Sequence, residues 1–499
     1  MDEPDLLYLA LFGVSLPFSY DSRLDQKSSD AYWKYCKRRI FLEAMEEPSF
    51  SSLEALTVLV LDISGMTNGP QVWGPLAVAA KHAVHLRAVR GHSLRTSTSE
   101  FEHEPSSDTT NESVHRERLF WAIYALDCYI TITTAQKPEF TDQEVDHFRA
   151  TRDIVWEEQS LATSAVDTAF AYQLCLCDVS RQVHHVYLEY AELREDSEAF
   201  LLWFNQFQAA AERLADRVPA TISPAAPCTP STAGRLSTTL HTPSTTKIQL
   251  FFDSLTVHLH GLMGHPAAEL LNSPVYETAR TESRRCCLLG VQSIVNTLAQ
   301  LSDQTMDKLG WPAAWSAWVA ARYLLVQASF GIALQTDHYT VLSQFIDRMG
   351  KKWQVACKYR WLLHQAVSEL ADNRVQPCGV NKWDKPGTPG SVLEALRDLR
   401  TPTSDLEDRF RVDPMLQMQT RQSIDRSPPP MISGEEGLQS NLLGESAGGQ
   451  ERMAGVGYAI PEQVGDQWFP APLFASSAYQ PLLLMPTWES NSETYLIDG

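Results

Sequence analysis

Histidines and paired carboxylates are the residues of this chain that could do chemistry. Their spacing points away from it. His258 and His260 are one residue apart, with His265 close behind. On a helix, residues i and i+2 look to different sides, so this pair cannot readily share one metal ion. His184-His185 has the same difficulty. His185 with Glu189 and His265 with Glu269 do fall at i, i+4, but each offers two ligands and the sequence brings no third near. Gly350-Lys351-Lys352 lacks the upstream glycine of a phosphate loop. Neither a nucleophile elbow nor a dinucleotide fingerprint occurs. The 9 cysteines are scattered. Cys175-x-Cys177 and Cys286-Cys287 are the close pairs, and no CxxC is present. Such cysteines suit buried thiols in a reducing compartment. No catalytic, cofactor-binding or metal-ligating residue is expected, and no enzyme activity.

The most specific stretch is structural in type. Arg116-Glu117-Arg118 leads into Leu119-Phe120-Trp121-Ala122-Ile123-Tyr124-Ala125-Leu126-Asp127. Phe120, Trp121, Tyr124 and Ala125 share one helical face, and Ile123, Leu126 and Ile130 widen it. A helix apolar over so wide an arc belongs between other helices. Asp127 lies inside this run, and a buried carboxylate needs a partner. Arg116 and Arg118 are beyond the i, i+4 reach, so the partner must come from another element. Pro138 ends the helix or its exit turn, and the acidic Asp142-Gln143-Glu144-Val145-Asp146 follows.

This stretch resembles the signature of the regulatory domain, often called the middle homology region, of fungal binuclear zinc-cluster transcription factors. That signature runs roughly Arg-Arg-Arg-x-Phe-Trp-x-x-Tyr-x-Leu-Asp-Arg, then Gly-Arg-Pro, then Asp-x-Asp-Ile. Phe120, Trp121, Tyr124, Leu126, Asp127, Pro138, Asp142 and Asp146 match it. Glu117 stands where a central arginine is usual, Cys128 replaces the arginine after the aspartate, and Ala135-Gln136-Lys137 precedes Pro138. The helix pair upstream is similar to the family's as well. Ser51-Ser52-Leu53-Glu54 reads as a capping box that opens an apolar helix over 53–63, and Gly65 and Asn68-Gly69-Pro70 close it. A Trp-led, alanine-lined helix then runs over about 72–86. Trp311 to Val326 is similar to a Trp/Ala/Arg helix near the end of that domain.

The sequence has 499 residues, 44% of them hydrophobic, and a formal net charge of −20. A sizeable core is therefore possible, and the protein as a whole has no electrostatic footprint for DNA. The family's zinc cluster needs six cysteines within roughly thirty residues, a density this sequence does not reach. Either the protein works without the cluster, or the sequence is a fragment or a misjoined gene product. Leu6-Leu7-Tyr8-Leu9-Ala10-Leu11-Phe12 reads as a first helix. It lacks a basic n-region and is too short to span a bilayer.

Further helices are expected at 164–193, 197–217, 247–262, 277–301, 312–335 and 339–371. Ser93 to Ser113 reads as a polar loop and 214–246 as a flexible insertion. No alternating strands are seen. The fold class is therefore all-α: an irregular multi-helix array over 1–375 with a disordered acidic and aromatic tail over 376–499. After Arg452 the tail has no Lys or Arg, and Trp468, Phe469, Phe474, Tyr479, Trp488 and Tyr495 alternate with carboxylates. That is the composition of an activation segment that docks in a coactivator groove; the other readings are a plain disordered tail or a strap on the helical domain.

The resemblance implies a fungal transcription regulator of the nucleus, controlling carbon-source use or a secondary-metabolite cluster. It implies coactivator or corepressor partners and a small-molecule effector. It implies no cofactor in this chain, the family's zinc being bound by a segment not seen here; the acidic composition, for its part, leads us to expect no direct DNA contact from this chain alone, and no membrane contact is expected. A zinc-free corepressor bound to a full-length regulator is the alternative. A helical enzyme or carrier with an unrecognised pocket is the second.

Overall fold

The computed structural model describes residues 5–16, 19, 25–96, 107–147, 149, 165–192, 197–216, 243–265, 276–375, 391–399 and 401–410. Among the described residues every regular element is a helix. In sequence order they are α1 (Leu6–Ser15), α2 (Gln26–Glu46), α3 (Phe50–Met66), α4 (Pro70–Thr96), α5 (Ser107–Thr134), a short α6 over 142–147, α7 (Ala165–Glu192), α8 (Ser197–Asp216), α9 (Pro243–Gly264), α10 (Glu277–Ala299), α11 (Asp303–Met306), α12 (Trp311–Ser329), α13 (Thr336–Met349), α14 (Gln354–Val375), α15 (Val392–Arg397) and α16 (Thr403–Arg409). No helix among them is long and apolar enough to cross a membrane.

α12 is the hub. Every residue from Trp311 to Ala328 except Pro312 is buried, and α9, α13, α14 and α15 pack around it. Its sequence explains this. Trp311, Trp315 and Trp318 alternate with alanines, so bulky rings fill the gaps that small residues leave. Gly310, at φ 75°, turns the backbone into it, and Pro312 suits the first helical turn, where its missing N–H is not needed. α9 and α10 pack closely along their length, as Gly290 allows. A β-carbon there would lie 2.9 Å from the Val257 side group. The N-terminal helices α1 to α4 form a second group, joined to the hub where α14 packs on α3.

Several expected boundaries shift. α3 starts earlier: Ser49 is its N-cap and Ser52 completes the capping box. Ser51 instead donates to Asp5 at 2.7 Å, and Glu54 meets His115 at 2.5 Å. The earlier start places Phe50 against Arg116, 5.4 Å from the ring centre. Both ends of the polar stretch 93–113 are helical, because α4 runs on to Thr96 and α5 begins at Ser107; residues 97–106 lie outside the described residues. The helix expected over 312–335 ends at Ser329, and Gly331 takes φ 84° just beyond it. The helix expected over 339–371 is two, broken at 350–353. The insertion expected over 214–246 is shortened from both sides by α8 and α9, and 217–242 lies outside the described residues. α2 has only a narrow apolar seam, Trp33, Cys36, Ile40 and Ala44, all buried. Lysines and arginines fill much of the rest and mask the period.

The helical array extends a short way into the expected tail. Residues 391–399 and 401–410 form a strap on the helical core, with Val392, Leu393, Leu396 and Leu406 buried. Glu369 of α14 caps α15, accepting from the Val392 and Leu393 amides at 3.0 and 2.9 Å. Ser404 donates to Thr134 O at the end of α5 at 3.2 Å. The expected acidic segment beyond 410 lies outside the described residues.

Close packing gives a signed test. A β-carbon on Gly65 of α3 would overlap the Trp353 ring. Helix propensity alone favours Gly65→Ala by about 1 kcal/mol. Overpacking outweighs it, so the variant is expected to be less stable by about 1–3 kcal/mol in urea denaturation. A midpoint equal to or above wild type would show that the α3–Trp353 contact is looser than described.

Candidate functional site

The aromatic stripe of α5 is buried throughout. Phe120, Trp121 and Tyr124 are at most 3% exposed. Phe120 and Trp121 meet edge to face at 5.2 Å, Trp121 and Tyr124 at 5.4 Å, and Phe140 closes the cluster 5.3 Å from Phe120. Such edge-to-face contacts add to the area each ring buries. The Trp121 indole donates to Glu117 at 2.7 Å. The residue that departs from the expected arginine therefore accepts from the stripe's own tryptophan.

Asp127 is fully buried. It accepts from the Glu139 and Phe140 amides at 3.0 and 3.3 Å and from the Thr131 hydroxyl at 3.4 Å. Arg181 of α7 stands 3.8 Å away. The partner does come from outside its own helix, as the spacing requires. Arg181 also donates to Phe140 O at 3.0 Å and to Asp142 at 2.5 Å, and lies over the Tyr124 ring at 5.9 Å. It occupies the space beside Cys128, where the related signature carries an arginine in sequence. Tyr124 donates to Asp178 at 2.7 Å, and Arg149 donates to the same carboxylate at 2.8 Å. Burial and the neighbouring acidic groups push the Tyr124 hydroxyl far above its ordinary range. His184 meets Gln136 O at 2.7 Å, and Lys81 of α4 donates to Glu139 O at 3.1 Å. The turn over 135–141 is thus held by α4, α5 and α7 together. Pro138 sits in its middle.

A second buried charge lies on α12. Arg322 donates to Leu396 O and Thr401 O, both at 3.1 Å, and to Asp398 O at 2.8 Å. Burial lowers its guanidinium to about 10, still charged at neutral pH. Between Arg322, the strap and the end of α5 is a cavity of about 40 Å³. His258 lines it, stacked on Tyr187 at 5.2 Å. Burial pushes His258 down to about 3, so it is neutral.

The histidines separate. His260 meets Ser283 at 3.2 Å, and His265 stacks on Phe330 at 5.2 Å. His185 reaches Glu189 at 3.3 Å on the surface, while Glu269 is outside the described residues. Among the described residues no group of three or more His, Cys, Asp or Glu is placed to hold a metal. Cys128 and Cys177 meet between α5 and α7, where burial raises the Cys177 thiol; Cys228 and Cys378 are outside the described residues. Gly350-Lys351-Lys352 forms the break between α13 and α14, and Lys352 pairs with Asp307 at 3.2 Å.

Sequence reasoning missed Asp178 and Arg181, and weighed His184 only as a metal ligand. Their signal is a polar stripe at three-residue steps inside an apolar helix. Arg322 was visible too, as the single charge in α12.

Residues 2–159 match the family model described as the fungal specific transcription factor domain. That segment is therefore similar to a fungal transcription factor regulatory domain. No curated protein and no solved structure matches the chain. The matched segment holds the signature helix, Asp127 and the turn after it. The groups that complete this site, Asp178, Arg181 and His184, lie beyond residue 159 on α7.

Asp127 gives the site a pH signature. Burial raises its carboxyl to about 6, against the pull of the two amides and Arg181. Its folded value then exceeds its unfolded one, so ionisation opposes folding. The effect is absent below about pH 4 and grows as the pH rises through about 6. Relative to Asp127→Asn, wild type is expected to lose roughly 3 kcal/mol between about pH 4 and 7. Urea melts across that range would measure it, and parallel profiles for the two proteins would show that Asp127 does not titrate as its burial demands.

Proposed function

We propose that this protein is a fungal transcription regulator whose helical part restrains or transmits the activity of an acidic, aromatic C-terminal segment. The match of residues 2–159 to the fungal specific transcription factor domain carries this reading. The composition beyond Arg452, rich in aromatics and carboxylates and free of Lys and Arg, supports the activation role. Apolar anchors of that kind dock in coactivator grooves, and the carboxylates prevent self-collapse. The protein acts in the nucleus with coactivator or corepressor partners, and it controls a metabolic pathway such as carbon-source use or a secondary-metabolite cluster. It is not an enzyme. DNA contact, in a protein with a net charge of −20, comes from a basic zinc-cluster segment or from a partner.

Residues 453–499 fused to a heterologous DNA-binding domain are expected to activate a reporter well above the unfused DNA-binding domain. The whole protein in the same fusion is expected to activate less than the segment alone. A segment that gives no activation would sink the activation role. Equal output from both fusions would remove restraint by the helical part.

A further inference from the structure

Opposite its narrow buried seam, α2 carries a second row of side chains. The buried seam packs on α1 and α3, where Trp33 lies against Gly13 and donates to Asp62. Half a turn round the helix, Ala31, Tyr35, Arg38, Leu42 and Met45 follow at steps of four, three, four and three. All five are exposed, Tyr35 by 58% and Met45 by 52%. Alternating three- and four-residue steps make the seam between two paired helices. Tyr8, Leu11 and Phe12 of α1 are exposed as well, and Phe12 meets Tyr32 edge to face at 5.7 Å. Among the described residues, seven of the thirteen exposed large hydrophobic side chains lie on these two helices. The apolar surface is therefore concentrated here, which marks a contact face.

The charges on α2 say what covers it. Between residues 27 and 39 five Lys or Arg stand against the single Asp30, while Glu43, Glu46 and Glu47 crowd the other end. That order opposes the helix dipole, which favours acidic groups at the start and basic groups at the end. Lys37 and Arg39 are engaged by Asp62 and Glu43, whereas Lys34, Arg38, Glu46 and Glu47 are exposed. We infer that this face of α2 joins two copies of the protein in an antiparallel pair. A two-fold axis near residue 40 brings Tyr35 of each copy level with Met45 of the other, and Arg38 level with Leu42. The basic half of each α2 then lies alongside the acidic end of its neighbour, and each supplies the charge that the other's dipole calls for. A parallel pair would stack like charges along its whole length. A purely acidic segment would match residues 27–39 but meet the glutamates beyond them. The self-complementary order fits a contact in which the same patch serves both partners.

The test is sedimentation equilibrium of the full-length protein over a wide range of concentration. Wild type is expected to pass from monomer to dimer on the order of micromolar, as befits one helix pair with a charged residue in its seam. Leu42→Asp is expected to weaken association about tenfold or more, because it puts a carboxylate at the centre of the contact. The arrangement is tested by two charge variants. Lys34→Glu with Arg38→Glu makes the exposed charges at both ends acidic, and Glu46→Lys with Glu47→Lys makes them basic. Each variant alone is expected to stay monomeric at the wild-type midpoint, and an equimolar mixture of the two is expected to dimerise. All the substituted side chains are exposed, and helical circular dichroism checks that each variant keeps the fold. A wild type that stays monomeric throughout, as it would if its own C-terminal segment covered the row, would overturn the pairing. So would undiminished association of Leu42→Asp, or a charge variant that pairs with itself as tightly as wild type. A mixture that remains monomeric would exclude the antiparallel arrangement. The mixing experiment decides even if Leu42→Asp fails to fold.

Discussion

Burial of one carboxylate organises the domain. Asp127 is cut off from water in the middle of an apolar helix, so donors must be brought to it. The two strongest are the amides of Glu139 and Phe140. They can reach it only if the backbone reverses directly after α5. Ala135 makes that reversal with φ 57°, a left-handed conformation that costs a residue with a β-carbon about 1–2 kcal/mol. It persists because the turn is fixed from several sides. His184 meets Gln136 O, Lys81 donates to Glu139 O, Arg181 donates to Phe140 O, and Ser404 donates to Thr134 O. One buried charge thereby places a turn, and the turn places α4, α7 and the strap against α5.

Arg322 does the same with the opposite sign. Asp127 is met by backbone N–H groups and Arg322 by backbone C=O groups. In an all-helical array, interdigitating residues set how helices pack, but they say little about the connections. Hydrogen bonds to a charged group contribute about 1.5–3 kcal/mol each. That is enough to select one loop conformation from many. The two buried charges therefore act on segments without helical order of their own, the turn around Pro138 and the connection between α15 and α16.

How much of this was legible in the sequence depends on range. The aromatic face of α5 follows from three- and four-residue steps, and the need of Asp127 for a distant partner follows from its neighbours. The identity of that partner does not, because Arg181 meets it from another helix, through tertiary packing that no local pattern spans. The cap of α3 was misplaced for a similar reason. Ser51-x-x-Glu54 satisfies the local rule, but the longer helix brings Phe50 against Arg116, and tertiary packing decides. The strap was hidden by the composition around it. Residues 391–410 contain short apolar clusters beside a stretch rich in proline and glycine, and their place comes from distant groups: the carbonyl-binding Arg322, the cap from Glu369, and hydrogen bonds to Trp318 and Thr134.

The family pattern and the physical unit consequently differ in extent. The match ends at residue 159, yet the hydroxyl of Tyr124 and the carboxylate of Asp127 are met by groups on α7, and the end of α5 is held by a residue of α16. A protein stopped at the end of the match would keep the signature helix but leave its buried polar groups without Asp178 and Arg181, and its apolar face without α7. Leaving a buried charged group unpartnered costs several kcal/mol, a large share of the stability of a whole domain. The matched segment is thus a recognisable mark on a structure that needs residues up to 410 to satisfy it.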